Sequence, residues 1–504
     1  MIQRFRINMS TFYLMFLFFF LLFTELPASE NAFQVSFTKS IHHQPFTGRV
    51  YLIFTQSHRE PRLGPSWFQP ESFIAQDVVN WKPGEILEFT PESKNLLSFP
   101  IPFSEMNLDH YRAQAVVRFN SNEPKIGTAP GNGFSQVIAI PKYAGLKTPI
   151  LTINKLVVEK TFKDTQWSKL FKIRSALLSK FHDQDTYFEA TVILPQSYYQ
   201  QKQRKYPVIF SIPGFGGDHF RGLRNTPVSE QNEGHVEFIR VVLNPQCRWG
   251  HHVFADSANN GPVGEAFTTE FLPELEKAYR AIPHQRARFL TGHSSGGWSS
   301  LWLQVTYPDV FGGTWSTAPD PVDFRNFQQI NLYDSSSNMY RDAMNQARPI
   351  ARRGQTPILW YEPFSKMEHV LGHGGQLRSF EAVFSPRGKD GTPLKLYDRE
   401  TGNINPEVVE AWKAYDIRLI LETNWKTLSP KLAGKIHVFM GELDTFYLEG
   451  ATILLKQSLA QLDNEAVVEI HPGKTHSSLL SKELMLRIRK EMVQTFLAHR
   501  DEIK

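Results

Sequence analysis

Residues 288–300 read Arg288-Phe289-Leu290-Thr291-Gly292-His293-Ser294-Ser295-Gly296-Gly297-Trp298-Ser299-Ser300. A short apolar run ends at Gly292, small residues follow, and Leu301, Trp302 and Leu303 continue into a helix-capable segment. Strand, tight turn and helix in that order match the Gly-x-Ser-x-Gly nucleophile elbow. Such a turn needs glycine on both sides, because a Cβ at Gly292 or Gly296 would collide with the neighbouring strand or helix. It lifts the Ser294 hydroxyl above a sheet and aims a helix N-terminus at the reaction centre. The Ser295 N–H then lies where an oxyanion would form. A glycine-serine turn that merely caps a helix would share the pattern, so the remaining chain has to decide.

A serine nucleophile needs a base, and the base needs an orienting acid. On an α/β sheet with this elbow they follow the serine in the order acid, then histidine, in loops after late strands. Met440-Gly441-Glu442-Leu443-Asp444 comes directly after a β-prone run, which makes Asp444 the acid and Glu442 the second choice. After the next such run comes His471-Pro472-Gly473-Lys474-Thr475-His476. His476 is the expected base, with His471 as the alternative. A second oxyanion donor is expected in a glycine-rich loop after an early strand. Pro213-Gly214-Phe215-Gly216-Gly217 stands there, with the Phe215 N–H as donor and Gly216 as its nearest competitor. Asp256, Asn260, Trp298 and Asp320, near the elbow, are candidates for lining a substrate pocket; for each a purely structural role is as good a reading.

The rest of the chain supplies the frame. Strand-like runs at 190–195, 206–213, 238–243, 313–316, 436–440 and 466–470 alternate with helical segments, so residues 150–504 predict an α/β fold with a mostly parallel sheet. Phe267, Phe271, Leu275 and Tyr279 mark one helix face; Leu484, Ile488, Met492 and Phe496 mark another. Residues 320–431 lack a strand rhythm and read as an insertion that forms a lid or cap. Residues 32–142 carry short β-prone runs between Pro/Gly turns, as in an all-β, immunoglobulin-like sandwich. The piece from Lys142 to Lys155 reads as a linker.

Arg4 and Arg6 precede an uncharged run from Met9 to Thr24, and Leu26-Pro27-Ala28 offers a cleavage site. Residues 1–28 therefore read as a secretory signal peptide, leaving no stable membrane span after cleavage, with an uncleaved anchor as the alternative for which the run is short; the mature chain is expected to be secreted or periplasmic. A net charge of +5 over 504 residues, without dense basic runs, argues against nucleic acid as a partner. Cys247 is the sole cysteine, so no intrachain disulfide forms.

With Gly292-His293-Ser294-Ser295-Gly296-Gly297, Asp444 and His476 in this order, the chain resembles the esterase branch of the α/β-hydrolase superfamily, which includes esterase D-like, feruloyl- and acetyl-xylan-type esterases. The segment Phe254-Ala255-Asp256-Ser257-Ala258-Asn259-Asn260-Gly261-Pro262 is similar to the one that precedes the elbow in that family. The resemblance covers about residues 175–499. It implies a serine hydrolase that cleaves carboxylic esters through Ser294, His476 and Asp444, with no metal or organic cofactor. The ester is expected to be a small molecule or to hang on a polysaccharide. Two readings stand beside it: an acyltransferase on the same triad, and a catalytically silent binding protein. The oxyanion loop reads Pro-Gly where many relatives have His-Gly, and the insertion is long, so substrate preference does not transfer.

Overall fold

Alternating and continuous apolar runs build two separate units in this computed structural model, which describes residues 32–140, 149–228, 233–463 and 465–503. The expected signal peptide and the end of the β domain at 142 lie outside the described residues. The first unit takes the described residues of 32–65, 71–117 and 133–155. Among the described residues its nine strands hydrogen-bond into one continuous sheet. Phe46–Thr55 runs through the middle, antiparallel to Phe73–Trp81 on one side and to Arg112–Val117 on the other. Residues 50–55 are buried on both faces, which is why this strand reads as a continuous apolar run.

One expectation is corrected here. Ile150–Leu156, read as the end of a linker, is a strand of this sheet and pairs in parallel with Phe33–Phe37. Leu151 and Ile153 alternate into the core, fully buried. Two short pieces, Ser66–Pro70 and Arg118–Asn132, pack with the second unit instead.

The second unit is built on eight strands, labelled here β1 (Ser168–Ser175), β2 (Thr186–Ile193), β3 (Val208–Ile212), β4 (Ile239–Leu243), β5 (Arg288–His293), β6 (Gly313–Thr317), β7 (Ile436–Gly441) and β8 (Val467–His471). Their spatial order is β1-β2-β4-β3-β5-β6-β7-β8. β2 is antiparallel to both its neighbours, and the pairings from β4 through β8 are parallel. Helices cover both faces. On one, Phe267, Phe271 and Leu275 pack with Phe210 of β3; Phe267–Phe271 is a π-helical turn within that helix, which four-residue spacing alone does not reveal. On the other, Ile488, Met492 and Phe496 of the helix Lys482–Ala498 pack on Phe289 and Trp315. Ligands of such sheets bind outside the carboxyl ends of the strands, and the loops after β3, β5, β6, β7 and β8 converge there.

The insertion is ordered. It holds a hairpin (Pro349–Arg353 with Thr356–Trp360) and the helices Tyr361–Leu371, Gln376–Phe384, Pro406–Trp412 and Ile417–Leu432. A buried ionic knot ties its two ends: Arg418 reaches Asp323 and Asp416 at 3.3 Å each, and Asp416 also accepts from the Tyr333 hydroxyl at 2.6 Å. Both carboxylates are fully buried. Removing Arg418 strips Asp416 of its cation and leaves an uncompensated buried charge there, while Asp323 keeps Arg325 at 2.7 Å. Arg418→Ala should therefore cost about 3 kcal/mol of stability, read by urea unfolding, and loosen the insertion to proteolysis.

Candidate active site

β5 enters the turn at Gly292, and the helix Ser295–Thr306 (α1) leaves it. The approach leaves no room for side chains. A Cβ on Gly292 would lie 2.0 Å from the Gly296 carbonyl oxygen, and one on Gly296 would lie 1.9 Å from that of Ile212 in β3. Between them Ser294 is held at φ 61°, ψ −126°, a strained conformation for an L-residue. Its backbone is tied on both sides: its N–H donates to Thr317 at 3.1 Å, and its carbonyl accepts from Asp320 N–H at 3.3 Å.

The loops after β7 and β8 are laced together. Glu442 N–H donates to His471 O at 3.0 Å, Leu443 N–H to Lys474 O at 2.9 Å, and Gly473 N–H to the Glu442 carboxylate at 2.8 Å. Glu442 thus braces the histidine loop rather than touching a histidine ring. His476 Nδ1 lies 2.7 Å from Asp444 Oδ2, and Asp444 is completely buried. The other Asp444 oxygen accepts from Phe446 N–H at 2.8 Å. Arg352, from the hairpin of the insertion, donates to the Asp444 carbonyl at 2.9 Å and pairs with Glu449 at 2.8 Å. No local pattern in the sequence announces Arg352. The His476 ring packs edge-on against Phe446 and lies 4.5 Å from the His293 ring. Burial, then the nearness of His476, pushes the His293 pKa down to about 4, so its neutral ring adds no charge at pH 7. His471 stays on the edge strand beside Glu469.

The two expected oxyanion donors sit on the turn after β3 and at the start of α1. Gly217 N–H closes a turn onto Gly214 O at 2.9 Å, with Gly216 at φ 74° as the left-handed third residue. The Phe215 N–H is not used by that turn. Ser295 is the first residue of α1, where an N–H has no partner within the helix.

Ser294, His476, Phe215 and Asp320 line one cavity of about 530 Å³. Its walls are largely apolar and aromatic. Trp67, from the Ser66–Pro70 piece, stacks on Phe215 at 5.6 Å and meets the edges of Phe364 and Phe446. In the sequence Trp67, Phe68 and Trp81 offer either a ligand platform or core and loop packing, with packing preferred; the position of Trp67 at the cavity depends on where a distant segment packs. Asp320 is the polar exception. It accepts from the Ser295 hydroxyl at 2.5 Å and from Gln376 at 3.4 Å. Burial raises its carboxyl pKa to about 6, only partly offset by the Ser295 hydroxyl, the nearby His476 and the Ser294 hydroxyl.

The other candidates lie elsewhere. Trp298 is buried in the core, stacked on Trp302 at 5.1 Å and against Phe384. Asp256 accepts from the Tyr307 hydroxyl at 2.6 Å and from Glu265 N–H at 3.0 Å, a structural anchor. Asn260 lines a different cavity. Gly216 shapes the turn after β3 without lining the Ser294 cavity. Each was close to the elbow or turn in sequence, but helix phase and loop direction carry it away.

Strand order and elbow define an α/β-hydrolase. The family described as "Putative esterase" matches residues 185–449, more than half of the chain, and the chain belongs to it. It is accordingly a carboxylic ester hydrolase. Among solved structures, a ferulic acid esterase is similar at 17% identity over 66% of this chain and 99% of its own, with a TM-score of 0.37. An S-formylglutathione hydrolase from Agrobacterium tumefaciens is similar at 14% identity, over 65% and 95%, with a TM-score of 0.38. FphF, a fluorophosphonate-binding serine hydrolase of Staphylococcus aureus, is similar at 12% identity, over 65% and 98%, with a TM-score of 0.39. No curated protein matches the sequence. Among the described residues no helix is long and apolar enough to cross a membrane.

The raised pKa of Asp320 gives a pH-dependent prediction. A carboxyl held above its ordinary value adds stability below about pH 4, and that contribution is lost as the pH rises through about 6. The neutral variant Asp320→Asn escapes this loss. Its stability relative to wild type should rise by up to about 3 kcal/mol between pH 4 and pH 7.5, measured by denaturant unfolding at both pH values.

Proposed function

We propose that the chain is a serine esterase working through an acyl-enzyme on Ser294. The observation that carries the reading is the buried 2.7 Å contact between His476 and Asp444, in a cavity that Ser294 also lines. Ser294 Oγ attacks the ester carbonyl while His476 Nε2 takes its proton. Asp444 holds the Nδ1–H tautomer and stabilises the imidazolium. The N–H groups of Phe215 and Ser295 receive the developing oxyanion. Collapse of the tetrahedral species releases the alcohol, which takes the proton back from His476. Water, deprotonated by His476, then attacks the acyl-enzyme; collapse frees the acid, and His476 returns the proton to the departing Ser294 Oγ.

The aromatic wall of Trp67, Phe215, Phe364 and Phe446 suits a planar or apolar acyl group, from a small ester or one carried on a polysaccharide. A basic start followed by an uncharged apolar run supports secretion or delivery to a periplasm.

With p-nitrophenyl butyrate as substrate, Ser294→Ala and His476→Ala should each lower kcat by at least about 10³-fold, and Asp444→Asn by about 10⁴-fold. Full activity in Ser294→Ala would refute the assignment. Trp67→Ala should raise KM about tenfold for a hydroxycinnamoyl ester and much less for an acetyl ester. Equal effects on both would remove Trp67 from acyl recognition.

A further inference from the structure

Asp320 is a carboxyl in the Ser294 cavity for which the acyl-enzyme mechanism has no use. It is 5% exposed, and among the described residues no lysine or arginine pairs with it. Other buried acids of this unit have a cation at hand: Glu276 holds Arg288 at 2.6 Å, Glu381 holds Arg399 at 2.5 Å, and Asp323 holds Arg325 at 2.7 Å. Asp320 has the Ser295 hydroxyl at 2.5 Å and the Gln376 amide at 3.4 Å, both neutral. Both bonds fall on Oδ2, so Oδ1 keeps its lone pairs, and it is not sealed from the cavity. A carboxylate taken out of water is costly unless a cation or a full set of hydrogen bonds replaces the water. The protein supplies neither.

The charged groups that act most strongly on Asp320 are His476 and Asp444. The first must be neutral to act as a base, and the second repels. Arg221 also lines the cavity, but it is exposed and stands beside Gly217 on the turn after β3. The remaining walls favour a positive ligand. Phe380 lies one helical turn from Gln376 on the helix Gln376–Phe384, and both line the cavity. Trp67, Phe215, Phe364 and Phe446 add a cluster of aromatic faces and edges. Ring faces attract cations through their quadrupole, and the attraction is strongest where water is excluded.

We propose that Asp320 anchors an ammonium group of the substrate, so that the preferred ester is an aminoacyl ester with its amine a few bonds from the reacting carbonyl. The carboxyl lies near enough to the Ser294 hydroxyl to be stabilised by it, which sets that short reach. A primary ammonium brings three donors and a full charge to the free oxygen, and the pair is a charge-assisted hydrogen bond. The proposal rests on the serine-esterase reading for the place of the carbonyl, but the ammonium subsite binds without turnover and is tested without it.

The test uses methyl esters of one shape that end in ammonium, methyl and hydroxyl: β-alanine methyl ester, methyl butanoate and methyl 3-hydroxypropanoate. Each is titrated into the full Ser294→Ala chain at neutral pH and followed by NMR. The ammonium ester should bind at least about tenfold more tightly than the other two, the effect of one hydrogen bond to a charged group. That preference should vanish in Ser294→Ala/Asp320→Asn, whose folding is checked by a cooperative melting curve. Equal affinities in the Ser294→Ala chain, a comparison that needs no change at Asp320, overturn the proposal, as does a preference that survives Asp320→Asn. So does the hydroxyl ester binding as well as the ammonium ester, which would make Asp320 an acceptor for neutral donors. Turnover of β-alanine methyl ester by the wild type is read separately. An ester bound through Asp320 yet never hydrolysed would support the subsite and overturn the esterase reading.

Discussion

The approach of α1 to β3, so close that a Cβ on Gly296 would sit 1.9 Å from the Ile212 carbonyl oxygen, is the contact on which the site depends. Gly292 and Gly297 extend it, the latter with the Thr317 carbonyl 2.6 Å from where its Cβ would be. Only with hydrogen at these positions can α1 pack down onto the sheet. Nearly all of α1 is buried as a result, and packing compensates the strain at Ser294. A helix seated one side chain further out would carry the Ser295 N–H away from the Phe215 turn.

Two buried carboxylates then divide the work. Asp444 has both oxygens in hydrogen bonds, one to His476 and one to a backbone N–H, while Arg352 pins the carbonyl behind it. Asp320 meets only neutral donors, and burial lifts its pKa. Of the two, Asp320 lines the Ser294 cavity and is the carboxyl that burial brings toward neutral pH.

The elbow was legible because its constraint is local: glycines at fixed offsets around a serine, after an apolar strand and before a helix. The acid and base loops were legible because chain order fixes which strand each follows, and the structure brings His476 and Asp444 into contact. The pocket walls were not. Trp298 lies four residues from Ser294 but points into the core, since helical phase and not proximity sets its direction. Trp67 and Arg352 reach the site from segments whose placement depends on tertiary packing. The strand Ile150–Leu156 was missed for a related reason: its partner, Phe33–Phe37, lies at the other end of the first unit's sequence.

Covalent capture tests the central claim most directly. The mature chain would be treated with a fluorophosphonate, digested, and the modified residue located by tandem mass spectrometry. The account predicts a single phosphonylated site at Ser294 of the folded protein, lost on prior denaturation. Modification at another serine, or none in protein that is folded and turns over esters, would contradict it.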